Sequence, residues 1–357
     1  MRPSVSVLIP YYNDSRFLRE SIASVLGQDF ADFELVLVNH ASTDGSREIA
    51  RSFDDPRIVH VDMPVNHGAG GGLVVAEFLK VARGEYVKFF CADDVMRPEC
   101  LATLVGYMES HGDRAFAFGD LQYVDGRGAD VGAHWFAARP KFSAALTEVD
   151  CLRLLAVGHS FLPWIGSIVR RAALSGIELD ATLVMLFDMS VWVQLLLKGC
   201  RLGFVGSVVA DYRLHDGQVS ALARKSEAIA FSGCERQIFF RWFQKCRDVA
   251  LVKEVFDGDD FVRRVQSVGD VPLAVALHYV VADRYSAWAY QYVHDILQDP
   301  VKRAEAESRL GITVAGFRDL IRSHSAAPRK RSAWVRFRDR WLRNRRQRIC
   351  DDGQYSL

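Results

Sequence analysis

The first hundred residues repeat one pattern: a short run of β-branched and aromatic residues, a polar loop, then apolar residues at helical spacing. Val5-Ser-Val-Leu-Ile9 ends at Pro10, and Tyr11-Tyr12-Asn13-Asp14 follows as a turn with a capping residue. Phe17, Leu18, Ile22, Val25 and Leu26 then recur at helical spacing up to Gly27. Phe33-Glu-Leu-Val-Leu-Val38 is a second run and ends in Asn39-His40-Ala-Ser42-Thr43-Asp44-Gly45-Ser46, which opens another helix. Ile58 to Val61 is a third, followed by Asn66-His67-Gly68-Ala-Gly70-Gly71-Gly72 and a helix to Ala82. Tyr86-Val-Lys-Phe-Phe90 is a fourth, bounded by Gly84 and Pro98. Strands alternating with helices predict an α/β fold: a doubly wound, mostly parallel sheet. The loops at the carboxyl ends of its strands then converge on one cleft.

From Ala115 the pattern changes. Ala115–Gly119 and Leu121–Val124 read as two short strands, with Asp125-Gly126 as a turn. Residues 126–146 are irregular and suit a loop over the cleft. Ile165–Val169 reads as a strand, Phe187–Lys198 as an amphipathic helix, and Leu202–Val205 and Val208–Arg213 as two more strands leading to His215. Beyond residue 222 the pattern is helical, with Phe239, Phe240, Trp242 and Phe243 as core. The expected organisation is a domain over 1–220, a C-terminal helical extension over 221–328 and a basic tail over 329–357.

Chemistry is sought first at Asp93-Asp94, where the fourth strand runs out. Paired carboxylates there suit a hard divalent cation, which in turn holds phosphates; the plain alternatives are an acidic loop or a helix N-cap. The seven Cys are scattered and never spaced Cys-x-x-Cys, which argues against a zinc site or disulfide framework and for a reducing compartment. Net charge is +1, so the molecule as a whole is no polyanion binder. A strand starts almost at once, leaving no room for a signal peptide, and no apolar run reaches the length of a membrane span.

In order and spacing, several landmarks together resemble the family 2 glycosyltransferases, which use nucleotide sugars on a GT-A fold. They are Val5-Ser-Val-Leu-Ile-Pro-Tyr-Tyr-Asn13, Ser21-Ile-Ala-Ser-Val-Leu-Gly-Gln28, Phe33–Val38 with Ser42-Thr43-Asp44-Gly45-Ser46, Asn66-x-Gly68, Ala82-Arg-Gly84-Glu85-Tyr86, Ala92-Asp93-Asp94 with Pro98, and Tyr212-Arg213-Leu-His215. The resemblance covers roughly residues 4–220. It implies an inverting sugar transfer from a nucleotide-sugar donor to a hydroxyl acceptor, a polysaccharide or lipid-linked glycan, with a divalent cation, Mn²⁺ or Mg²⁺. Asp94 and His215 are then the metal residues, and Asp93 meets the metal or the ribose. Arg213 pairs with phosphate or braces a carboxylate. Pro10, Tyr11, Tyr12, Asn13, His40 and Asn66 complete the donor site. Asp188 is the catalytic base, its alternative being the N-cap of its helix.

The chain departs from the family pattern at four places. Cys91 replaces an acidic residue two before Asp93 and is a poor ligand for Mg²⁺ or Mn²⁺. Asn39-His40 replaces Asp-Asp where relatives accept a uracil N–H; a neutral His still accepts one hydrogen bond, depending on tautomer. UDP-, dTDP-, GDP- and CDP-sugars all stay open as donors. Phe187 replaces an acidic residue. Gly70-Gly71-Gly72 stands where relatives carry a phosphate-binding Arg, and reads as a flexible loop in preference to a backbone phosphate cradle. These departures motivate the alternative of a non-catalytic GT-A-like binding or assembly protein. A nucleotidyltransferase would want a Gly-rich basic loop after the first strand, and Pro10-Tyr-Tyr-Asn13 is neither.

Arg329–Arg348 holds ten Lys/Arg against one Asp. In helical register Trp334, Phe337, Trp341 and Leu342 share one face, which suits an anionic membrane surface. A helix packed on its own domain is the alternative, and nucleic acid is not expected, since no base-reading motif accompanies the stretch. The expected location is cytoplasmic, peripheral at the inner face of the membrane.

Overall fold

A computed structural model describes residues 2–68, 71–138, 146–218, 226–282 and 286–326, with backbone alone for 226–232 and 324–326. The basic tail lies outside these residues, as does Gly70. Nine strands form one sheet: β1 (Val5–Tyr11), β2 (Phe33–Asn39), β3 (Ile58–Asp62), β4 (Tyr86–Phe89), β5 (Val95–Met96), β6 (Phe116–Val124), β7 (Asp130–His134), β8 (Ser167–Arg170) and β9 (Leu202–Arg213). Their order is β3-β2-β1-β4-β8-β6-β9-β5, with β7 beside β6. The first four strands are parallel, Val5 facing both Phe33 and Tyr86. The chain runs outward from β1 to β3 and returns to the other side of β1 as β4. The order therefore reverses between β1 and β4, and ligand crevices form at such a reversal.

Helices cover both faces, as parallel strands require. Helix α1 (Leu18–Leu26) and, further on, α4 (Cys100–Ser110) bury Leu18, Ile22, Val25, Leu101, Leu104 and Val105 against Val7, Ile9, Leu35 and Leu37. Each such side chain contributes about 1.5–3 kcal/mol on burial. Helix α2 (Ser46–Arg51) follows β2, and α3 (Gly71–Val81) places Phe78 against Phe89 on the opposite face. Helix α5 (Glu148–Ala156) opens with Thr147 and Asp150 capping it reciprocally. Helix α6 (Phe187–Leu197) adds Trp192, which meets Phe89, Phe116 and Phe118. The Lys of β4, Lys88, is fully buried; its amine donates to the carbonyls of Phe89 and Ile165, and burial pulls its pKa down.

Four local expectations change. The two strands expected over 115–124 are one strand, β6, irregular in register around Asp120; a Cβ on Gly119 would lie 2.4 Å from the Val209 side chain, so only glycine lets β9 approach there. The two expected over 202–213 likewise merge into β9. Part of the stretch read as loop, Asp130–His134, pairs antiparallel with β6. Gly71 and Gly72 are the first turn of α3 and not a flexible loop. A Cβ on Gly71 would fall 2.5 Å from the Phe187 ring, and one on Gly72 would fall 2.5 Å from the Asp180 carbonyl oxygen.

The described chain divides into two compact units, Met1–Val275 and Ala276–Leu357. In the first, α7 (Ser226–Phe239), α8 (Val249–Val255) and α9 (Asp260–Arg263) follow the sheet, and Phe239, Phe240, Trp242 and Phe243 are buried as the sequence predicts. Helix α10 (Val271–Ala282) runs across the division. The second unit holds α11 (Ala287–Gln298), α12 (Pro300–Leu310) and α13 (Val314–Ala326), with Tyr290 of α11 against Phe317 of α13. Among the described residues no helix is long and apolar enough to cross a membrane.

The glycine reading has a direct test by urea denaturation. Gly72→Ala forces a methyl onto the Asp180 backbone and costs about 1–3 kcal/mol. Gly106→Ala, exposed in α4 with open space around its Cβ, gains about 0.5–1 kcal/mol instead.

Candidate active site at the carboxyl edge of the sheet

Asp93 and Asp94 occupy the turn between β4 and β5. Asp94 is 2% exposed, and its Oδ1 accepts the backbone N–H of Arg213 at 2.8 Å. Burial and the neighbouring Asp93 charge push its carboxyl well above the usual range. Asp93 Oδ2 lies 3.0 Å from His215 Nε2. The Arg213 side chain is spent on the protein: Nε donates to the Asp93 carbonyl at 2.9 Å, Nη2 donates to Glu20 Oε2 at 2.7 Å, and the guanidinium lies over Phe17.

Cys91 Sγ and one oxygen each of Asp93 and Asp94 lie within 4.8 Å of one another. Burial, with the charges of Asp94 and Asp93, pushes the Cys91 thiol well up, so it stays protonated. The carboxylates fit a hard cation: two acidic groups are held side by side, one of them desolvated, and positive charge between them relieves both costs.

The loops after β1 and β2 lock each other. Asn13 adopts φ 54°, in the left-handed region; its Oδ1 accepts Thr43 N–H at 2.8 Å and its own N–H reaches Ser42 Oγ at 3.2 Å. Asp44 turns back on its own loop. Hydrogen bonds from Ser46 and Ser15 outweigh its partial burial and hold its carboxyl below the usual range. Asp14 is pushed up to about 6 by burial, with Asp93 and Asp44 adding to it. Pro10 and Tyr11 end β1, Tyr11 buried and Pro10 partly so, while Tyr12 is exposed beside His40, ring centroids 6.5 Å apart. Asn66 accepts Gly68 N–H at 2.6 Å. His40 is buried and, by burial, shifted toward the neutral ring. Its Nε2 accepts the backbone N–H of His67 at 3.0 Å. The ring proton therefore sits on Nδ1, and His40 offers a donor where the sequence suggested an acceptor.

Asp188 lies in the first turn of α6, partly buried, and burial pushes its carboxyl up to about 7. It is not the N-cap; Leu186 is, and the Asp188 carboxylate meets the Met189 N–H at 2.7 Å. An aromatic bridge ties this helix to β4: Phe89 stacks on Trp164 at 3.9 Å, and Trp164 meets Phe187 at 5.7 Å. Asp93, Asp94, Arg213 and His215 thus form one cluster, the Tyr12, Asn13 and His40 loops a second, and Asp188 is reached through the bridge.

Sequence reasoning missed Glu20, Asp14 and Glu235. Glu20 reads as an ordinary exposed helix residue, and its pairing with Arg213, 193 residues on, leaves no local trace. Asp14 was read as a cap only. Glu235, from α7, accepts backbone N–H groups of residues 184–186 just ahead of Asp188.

Residues 6–177 match the family model described as Glycosyl transferase family 2. A protein of Nostoc sp. named only as a glycosyltransferase is 30% identical over 241 residues, 64% of this chain and 70% of its own. WfaP of Escherichia coli, named as a UDP-Glc:alpha-D-GlcNAc-diphosphoundecaprenol beta-1,3-glucosyltransferase, is 25% identical over 217 residues, 61% of this chain and 80% of its own. The crystal structure of S. aureus TarS 1–349 in complex with UDP-GlcNAc superposes with a TM-score of 0.52 at 19% identity, over 90% of this chain and 81% of that one, a likeness of fold.

The Asp188 environment predicts a pH signature. Its folded pKa of about 7 stands above the model-compound value of 3.8, so the folded state binds the proton more tightly and this group lowers stability as pH rises through that window. Asp188→Asn should melt about 2–4 °C above wild type at pH 8, with the gap shrinking toward pH 5, by scanning calorimetry.

Proposed function

Because this chain belongs to glycosyl transferase family 2 and has the GT-A fold, we propose that it moves a sugar from a nucleotide-sugar donor to a hydroxyl of a polysaccharide or lipid-linked glycan, with inversion at the anomeric carbon. The observation that carries this reading is the carboxylate pair Asp93-Asp94, locked by Arg213 and His215 at the strand-order reversal. A divalent cation, Mn²⁺ or Mg²⁺, would be held by Asp94 with His215, and Asp93 meets it or the donor ribose; when bound it supplies positive charge to the departing diphosphate. Arg213 keeps both carboxylates in place from behind.

The Asp188 carboxylate takes the proton of the acceptor hydroxyl. That oxygen bonds to the anomeric carbon on the face opposite the diphosphate. The bond between the anomeric carbon and the diphosphate oxygen breaks, and the nucleoside diphosphate leaves with the electron pair. A carboxyl near pH 7 suits this task, since it is unprotonated often enough to act and basic enough to accept. Pro10, Tyr11, Tyr12, Asn13, His40 and Asn66 surround the nucleoside. There the His40 Nδ1–H favours a base that presents a carbonyl oxygen or an imine nitrogen.

The acceptor reading draws on WfaP, whose name specifies a lipid diphosphate acceptor, and on the sequence of 329–348, read as contact with an anionic membrane. A thermal-shift panel of UDP-, dTDP-, GDP- and CDP-sugars, with and without Mn²⁺, should show one nucleotide class stabilising the protein only with the metal. Asp188→Asn should keep that shift and lose transfer by about 10²–10⁴-fold; unchanged turnover removes Asp188 from the mechanism. Deleting 329–357 should abolish sedimentation with phosphatidylglycerol liposomes, and equal sedimentation counts against the membrane reading.

A further inference from the structure

We propose that Glu235 is a positioning residue for the transfer: from another helix it fixes the backbone at 184–186 that leads into the helix carrying Asp188, and so sets where the Asp188 carboxylate stands. This rests on Asp188 being the base.

A helix start exposes backbone N–H groups that need acceptors. Leu186, the N-cap of α6, has no side-chain acceptor to offer. Asp188, in the first turn, already accepts the Met189 N–H at 2.7 Å, so the amides ahead of it at 184–186 need another acceptor. Glu235 takes that place. It is 3% exposed, and its two oxygens accept Val184 N–H at 2.7 Å, Met185 N–H at 2.9 and 3.2 Å, and Leu186 N–H at 2.8 Å. No Lys or Arg pairs with it among the described residues, so its charge is balanced by those amides and by the positive end of the α6 dipole. Among the charged side chains, Glu235 is the one that bears on Asp188, and it opposes ionisation there. It also lies on α7, past the end of the family match at residue 177. The helices after the sheet therefore hold part of the catalytic apparatus.

The test uses the full chain with Glu235→Gln, which keeps size and removes charge. Two readouts need no substrate. Exchange of the amides at 184–186 should quicken at least tenfold. The Asp188 carboxyl, followed by ¹³C NMR and assigned with Asp188→Asn, should titrate at least half a pH unit lower, because an opposing charge is gone. The third readout is nucleoside diphosphate release from UDP-glucose, dTDP-rhamnose, GDP-mannose and CDP-glucose in turn. Its acidic limb should move down in step, with maximal rate about tenfold lower and donor affinity within twofold. Faster exchange with an unmoved titration and rate means a structural cap alone and overturns the proposal. Should Gln prevent folding, Glu235→Asp, which keeps the charge but shortens the reach, replaces it and is read by amide exchange and maximal rate alone: faster exchange with an unmoved rate overturns the proposal. Transfer surviving in Asp188→Asn sinks the base assignment instead, an outcome read from a different variant.

Discussion

The backbone N–H of Arg213 reaches Asp94 from 119 residues away, and the rest of the site follows from that bond. Two adjacent carboxylates at a strand end repel each other, and burying one of them raises the cost. The chain offsets this with a single residue. Arg213 gives its amide to Asp94, its Nε to the Asp93 carbonyl and its Nη2 to Glu20 on α1. His215, two residues on, gives Asp93 a partner. For Arg213 to arrive there, β9 must run twelve residues beside β6 and then pair with the two-residue β5 that follows the aspartates. The bare backbone at Gly119, beside Val209, keeps that course open.

Much of this was legible in the chain, and the dividing line is sequence distance. β1 to β4, their polar loops and α1 declare themselves because residue period and turn chemistry are local properties. The Asp93-Asp94 pair is visible for the same reason. What could not be read depends on who meets whom. Gly71 and Gly72 look like flexible loop until Phe187 and Asp180 are found against them. Glu20 and Glu235 look like solvated helix residues until their partners arrive from 193 and about 50 positions away. β6 and β9 break into pieces in the sequence because the irregular register that joins each into one strand is a property of the pair.

His40 shows the same limit at the level of a single proton. A histidine in sequence is a donor, an acceptor or both, and composition cannot choose. The fold chooses by placing the His67 amide on Nε2. An aspartate at this position would present only acceptors to a ligand; this ring, neutral and with Nε2 occupied, presents an N–H. Against the family pattern this is a reversal of hydrogen-bond polarity at the loops after β1 and β2, which are held by the Asn13–Thr43 and Asp44–Ser46 bonds.

Asp94 and Asp188 are both acids raised by burial, and the proposed transfer gives them opposite tasks. Asp94 is raised by desolvation and then by a like charge next to it, so a cation placed against the pair cancels the second cause and rewards ionisation. Asp188 has no second carboxylate at its elbow. Its rise comes first from burial, with Glu235 contributing at the far side of the helix start, and neither cause is removed by a cation at Asp93-Asp94. In the proposed transfer a cation would favour the ionised form of Asp94, while the burial that raises Asp188 would remain. A chain of ring contacts, Phe89 stacked on Trp164 and Trp164 edge to face with Phe187, joins the strand end to the helix start. That packing belongs to the core of the domain, so it holds the start of the Asp188 helix against the strand that leads to Asp93-Asp94.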